Sequence, residues 1–137
     1  MNKETGIPLL QDAIYKDKFE NLSVIRNSGY PLEQGLKPGR VTIAHLCAKY
    51  GSIRSLLYFH INGYNLNIED NDGNTPLHIA VENNQKKCAA FLKKIGLDPW
   101  KKNKIGICPV DLSIDEELMG FINQIYGQYA SEFDENI

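Results

Sequence analysis

The sequence predicts an all-α solenoid of about four helix-turn-helix units with β-hairpin fingers, and three observations point to it. The first is a period of 33 residues: Gly73 recurs as Gly106 and Pro76 as Pro109, while Leu77 is matched by Val110. Read backwards at the same spacing, Thr75 falls on Thr42, His78 on His45, Val81 on Ala48, Asn84 on Gly51 and Gly96 on Gly63. The second is an apolar stripe within each period, such as Cys88, Phe91, Leu92 and Ile95 at i, i+3, i+4 and i+7, which is one face of a helix. The third is length: 137 residues hold about four such periods, and a hydrophobic share of 42% supplies a core. Short helices of this kind cannot bury their stripes alone, and stacking neighbours makes the core continuous.

The units follow in order. Residues 5–36 form a degenerate cap, because Leu9 to Tyr30 aligns only with a shift of 34, placing Phe19 on Ile53, Leu22 on Leu56 and Gly29 on Gly63. A terminal solenoid unit needs a polar outer face, so some loss of pattern is expected there. Residues 37–69 carry Thr42 and His45, with Ile53, Leu56 and Leu57 as the stripe of the second helix. In residues 70–102, Thr75 stands as an N-cap with Pro76 at the first helical position, where a missing N–H does no harm. Gly63 and Gly96 follow the second helices, where a left-handed C-cap is wanted, and Asp72-Gly73 signals a turn that builds a protruding hairpin finger. Residues 103–126 form a truncated final cap, with Leu118, Phe121, Ile122 and Ile125 on one helical face. Together these make one domain over 1–126, followed by an acidic tail over 127–137.

These residues resemble the ankyrin-repeat family, whose signature T-P-L-H-x-A stands intact from Thr75 to Ala80. Cys108-Pro109-Val110-Asp111-Leu112-Ser113 is similar to the variant T-P-L-D-L-A. Thr42 to Ala48 keeps Thr and His without Pro, and Gly63-Tyr64-Asn65-Leu66-Asn67 is similar to the family's G-A-D-V-N. The resemblance spans residues 37–113 and thins at both ends. It implies that His45 and His78 fix loops by hydrogen bonding. It also implies partner binding by finger tips and by the concave face of the first helices. Carried over by position, the tips are Pro38, Gly39, Val41, Asn71, Asp72, Asn74, Lys104, Ile105 and Ile107. The concave positions are Tyr15 and Lys16, Lys49 and Tyr50, Glu82 and Asn83, then Asp115 and Glu116, with Tyr15, Tyr50 and Val41 as the apolar anchor. Trp100 falls where a finger begins, either as an interface anchor or packed over the neighbouring finger.

Other chemistries are poorly served. Cys47, Cys88 and Cys108 form no C-x-x-C pair and no disulfide framework, and are expected to be buried, reduced thiols. Three histidines without clustered cysteines or carboxylates give no zinc site; His60, outside the repeated slot, is expected to face solvent. Asp70 to Asn74 suggests a calcium loop, but setting Gly73 at its sixth position puts Ile68 first and Ile79 twelfth, and neither is a ligand. No nucleophile elbow, phosphate loop or H-E-x-x-H occurs, so no catalytic residue, metal, cofactor or small-molecule substrate is expected. No apolar run reaches a membrane span and no secretory h-region follows Met1, which predicts a cytoplasmic or nuclear protein.

The net charge of −2 conceals a dipole. Residues 86–104 carry Lys86, Lys87, Lys93, Lys94, Lys101, Lys102 and Lys104 against Asp98, a net of +6. Residues 105–137 contain no Lys or Arg and carry −7. The lysines are either solvated faces or a seat for an acidic partner, a phosphate surface or the chain's own tail. Nucleic acid is disfavoured, because with Phe91 taken up by the helix stripe Trp100 is the one aromatic left among the lysines, and the acidic end repels phosphate. The function the resemblance implies is a non-enzymatic protein–protein interaction module, acting as an adaptor or assembly subunit. Its alternative is a stand-alone inhibitor that occludes a kinase or transcription-factor surface.

Overall fold

The computed structural model describes residues 10–27 and 41–113. Residues 10–15 are helical (α1) and are followed by α2 (Phe19–Asn27), α3 (Ile43–Tyr50), α4 (Ile53–Ile61), α5 (Pro76–Glu82) and α6 (Lys86–Lys94). A 3-10 turn at Pro109–Leu112 closes the described residues. The chain stacks in two layers: α3 packs on α5 and α5 on the 3-10 turn, while α2 packs on α4 and α4 on α6. The core lies between the layers and is continuous from Leu10 and Ile14 through Leu56, Phe59 and Leu77 to Leu92. The final helix stripe from Leu118 to Ile125 and the tail lie outside the described residues.

The helices turn where the period requires it. Asp17 (φ 53°), Gly51 (φ 72°) and Asn84 (φ 55°) take left-handed backbone between the two helices of successive units. Asp and Asn are the non-glycine residues that best tolerate this region. Asp17 gains a second role from it. Its carboxylate accepts hydrogen bonds from the backbone N–H groups of Arg54 (3.1 Å) and Ser55 (2.8 Å) and from the Ser55 hydroxyl (2.8 Å). It thus caps α4 from the neighbouring unit, and the Ser52 hydroxyl donates back to the Ile14 carbonyl. Gly63 and Gly96 are left-handed after α4 and α6, as expected.

The second helices correct one expectation. The buried face of α4 is Ser55, Leu56 and Phe59, whereas Leu57 is 46% exposed and Ile53 only partly buried. The register explains this: Leu56 matches Ala89 and Phe59 matches Leu92, both fully buried, so Leu57 falls on the outer face with Ala90.

Each of the two histidines in the repeated slot ties one unit to the next. His45 is 2% exposed and His78 is fully buried. Nδ1 accepts from the backbone N–H of the N-cap threonine, Thr42 (3.2 Å) or Thr75 (3.0 Å). A backbone N–H can only donate, so the ring proton sits on Nε2. That N–H donates to a carbonyl 29 residues on: Asn74 for His45 (2.8 Å) and Ile107 for His78 (3.0 Å).

Those carbonyls belong to the fingers. Among the described residues there is no strand, only an isolated bridge at Val41; each of the two described fingers is a compact turn braced by a side chain. Asp70 Oδ1 accepts from the N–H groups of Asp72 (2.9 Å) and Asn74 (3.0 Å), and Asn103 Oδ1 accepts from those of Ile105 (3.1 Å) and Ile107 (2.9 Å). Each side chain thus braces its own turn beside one backbone bond across the finger, Asp70 N–H to the Asn74 carbonyl (3.0 Å) and Asn103 N–H to the Ile107 carbonyl (2.9 Å). The fingers stack through Lys104 N–H to the Asp72 carbonyl (3.0 Å) and Asn103 Nδ2 to Asn74 Oδ1 (2.9 Å). Gly73 sits under this contact with φ 78°, and a Cβ there would stand 2.9 Å from the Lys104 nitrogen.

Two outcomes follow. Phe59→Ala should cost about 3–5 kcal/mol in chemical denaturation and Leu57→Ala no more than about 0.5. Burial, the largest effect, lowers the pKa of both His45 and His78, so folding favours the neutral ring. Their contribution is complete above the unfolded histidine value of about 6.5 and is lost as pH falls through the lower folded values. The unfolding free energy should therefore drop between pH 7.5 and pH 5, by at most about 1.4 kcal/mol per histidine per pH unit. A His78→Gln chain should be less stable at neutral pH and show a shallower fall.

Candidate functional site

The seam between α1 and α3 presents an aromatic surface. Leu10, Ala13 and Ile14 point inward, which leaves Tyr15 on the opposite face, 66% exposed. In α3 the inward run ends at Ala48, so Lys49 and Tyr50 emerge at the helix end. The two tyrosine rings meet edge to face at 5.2 Å, and the Lys49 ammonium stands 5.5 Å from the centre of the Tyr50 ring. Beside them is an open cavity of about 330 Å³ lined by Gln11, Asp12, Tyr15, Leu46 and Tyr50. Asp12 pairs with Lys16 at 3.1 Å, both half-exposed, a contact worth little in water.

The remaining candidate residues separate into exposed and structurally occupied groups. On the concave row Glu82 and Asn83 are exposed, although the Asn83 amide donates to the Ile79 carbonyl (2.8 Å). At the finger tips Asn71, Asp72, Lys104 and Ile105 are exposed, Ile105 by 78%. Asn74 is held within the fold: its carbonyl accepts from His45, its N–H donates to Asp70 and its side chain accepts from Asn103. Val41 packs against the core, and Ile107 bonds to Asn103 through its N–H. Trp100 is 52% exposed; its N–H donates to Asp98 Oδ1 (2.8 Å) and its carbonyl accepts from the Cys108 thiol (3.1 Å). Pro38, Gly39, Asp115 and Glu116 lie outside the described residues.

The titratable groups are arranged for structure. All three cysteines are buried and free, burial pushes the Cys47 thiol up, and Cys88 is pushed up to about 12 by burial. Thiols held this far from ionisation are poor nucleophiles. Among the described residues no group of three potential ligands could hold a metal ion, and no helix is long and apolar enough to cross a membrane. His60 is exposed, its ring edge against Phe91 at 5.6 Å. Within the lysine-rich stretch, Lys101 pairs with Glu69 (3.1 Å), and partial burial brings Lys93 down to about 8.

Two features escaped the sequence reading. Asp17 left a trace, because an acid stands where the other units have Gly51 and Asn84, but nothing local said that its carboxylate reaches Ser55. The Asp70 and Asn103 turns were visible as equivalent positions 33 residues apart.

Comparison with known proteins adds the following. Residues 10–103 match a family model described as Ankyrin repeats (3 copies). An ankyrin repeat-containing protein of Saccharomyces cerevisiae is 31% identical over 125 residues, covering 85% of this chain and 65% of the yeast protein. Protein phosphatase 1 regulatory subunit 12A of Mus musculus is 29% identical over 99 residues, covering 72% of this chain and 10% of that protein. Oxysterol-binding protein-related protein 1 of Homo sapiens is 42% identical over 57 residues, covering 42% of this chain and 6% of that protein. The chain thus spans just under two thirds of the yeast relative and a tenth or less of the other two.

Proposed function

The chain belongs to the ankyrin-repeat family, and from that premise we propose that it holds a protein partner as an adaptor or assembly subunit. Ankyrin repeats generally mediate protein–protein interaction, and the family is generally non-enzymatic. The observation that carries the finer reading is the Tyr15–Tyr50 pair beside its cavity. Tyrosine is enriched where binding energy concentrates, because a rigid ring buries much area at little entropic cost. Here two rings stand exposed at a seam with an adjacent recess, surrounded by Asp12, Lys16 and Lys49 as a polar rim. That is the anatomy of an apolar centre with charged edges.

The exposed finger residues Asn71, Asp72, Lys104 and Ile105 offer a second row of contacts. The stacked turns fix the spacing of that row, so little ordering cost falls on binding. One relative in the comparison is named a regulatory subunit of a phosphatase, which supports an assembly role for this chain by analogy.

The reading is tested with immobilised full-length chain and a Tyr15→Ser/Tyr50→Ser variant, each exposed to the same cell extract. A partner retained by the natural chain should be lost at least about tenfold on the variant, with finger residues intact. Retention of the same proteins in equal amount on both would refute the assignment of this surface.

A further inference from the structure

The second helices form one layer with an outer face that the proposed partner surface does not use. Arg54 of α4 stands over the Phe19 ring of α2 at 4.6 Å, and His60 of α4 meets Phe91 of α6 at 5.6 Å, so the three helices lie side by side. On α4 the inward residues are Ser55, Leu56 and Phe59. The helical period places Arg54, Leu57 and Ile61 on the opposite side. One period on, the same outer positions of α6 are Lys87, Ala90 and Lys94. Leu57 is 46% exposed and Ile61 is 72% exposed, so an aliphatic pair on one helix stands beside a cationic face on the next.

The charge is segregated as well as positive. The layer α2, α4 and α6 carries six Lys or Arg side chains against one acid, Glu20, and neither α4 nor α6 contains an acid. The acids of the third unit lie elsewhere, on α5 (Glu82) and in the loops and fingers (Asp70, Asp72, Asp98).

We infer that the outer face of α4 and α6 docks on an anionic membrane surface. Leu57 and Ile61 enter the headgroup boundary, and Arg54, Lys87 and Lys94 meet the lipid phosphates and carboxylates. Two features separate this occupant from a macromolecule. Protein interfaces deplete lysine and centre on aromatic or arginine anchors seated in pockets, whereas this face is lysine-rich with two protruding aliphatic side chains. Nucleic acid would satisfy the cations through its phosphates but offers nothing to an exposed aliphatic pair beside them. An anionic bilayer answers both, with negative charge at its surface and an apolar layer just beneath. Two aliphatic side chains make a shallow anchor, so binding is reversible and weakens with salt.

The test sediments the full-length chain with vesicles of phosphatidylcholine alone or with about one third phosphatidylserine, at low and physiological salt. Binding to the anionic vesicles should exceed binding to the neutral ones at least about tenfold, and Lys87→Glu/Lys94→Glu should lose about tenfold or more. Leu57→Ser/Ile61→Ser, with charge unchanged, should lose about fivefold. All these substitutions are on exposed positions, and circular dichroism checks that each chain is folded. Equal binding to both vesicles, or full binding by either double variant, overturns the inference. So does loss of vesicle binding in the Tyr15→Ser/Tyr50→Ser chain, which would put the contact on the other layer. Capture of DNA or an acidic peptide through Lys87 and Lys94, with no capture of anionic vesicles, would assign the face to a macromolecule instead.

Discussion

His45 and His78 are sealed from water, yet each carries one nitrogen that must donate and one that must accept. Leaving either nitrogen unmet would cost on the order of 1–3 kcal/mol, so the surroundings of each ring are dictated rather than chosen. The accepting nitrogen requires the N–H of the threonine three residues earlier, which fixes where α3 and α5 begin. The donating nitrogen requires a carbonyl from the next finger, which fixes how far away the next unit stands. Both demands recur at the same spacing, so the translation between units is written into one side chain in each of the two middle units. The same ring accounts for acid sensitivity, because a second proton would fall on the nitrogen that faces an N–H.

From this spine the surfaces follow. Fixing the Asn74 and Ile107 carbonyls fixes the ends of the two side-chain-stabilised turns, and the turns then stack through Lys104 and Asn103. Stacked turns hold Asp72 and Ile105 at set positions, and stacked first helices bring Tyr15 of one unit against Tyr50 of the next. The second helices complete the other side, where Asp17 caps α4 across the unit boundary. A repeat of this kind therefore displays two separate faces on one rigid frame. One is aromatic and rimmed by mixed charge; the other is aliphatic and cationic.

Most of the frame was legible because it repeats. Thr75 and Pro76 were placed correctly from capping chemistry, the loop-fixing role of His78 from the family resemblance, and the buried thiols from the absence of any ligand spacing. What the period could not supply was the phase of a helix whose residues are mostly apolar. In Ile53–Ile61 six of nine residues are hydrophobic, so the stripe can be drawn through Leu57 or through Phe59, and packing against α2, α3 and α6 decides. How the fingers are held was less legible for a related reason: Asp72-Gly73 signals a turn but does not say that the Asp70 side chain will brace it. Contacts between units, such as Asp17 with Ser55, join residues 38 apart and leave no local mark.

Native-state hydrogen exchange on a His45→Ala chain tests most directly whether the histidine couples units or merely caps its own helix. If the bridge carries the coupling, protection should fall both at the first turn of α3 and at the Asp72, Gly73 and Asn74 amides of the next finger. Loss confined to α3, with the finger amides protected as in the natural chain, would contradict the account.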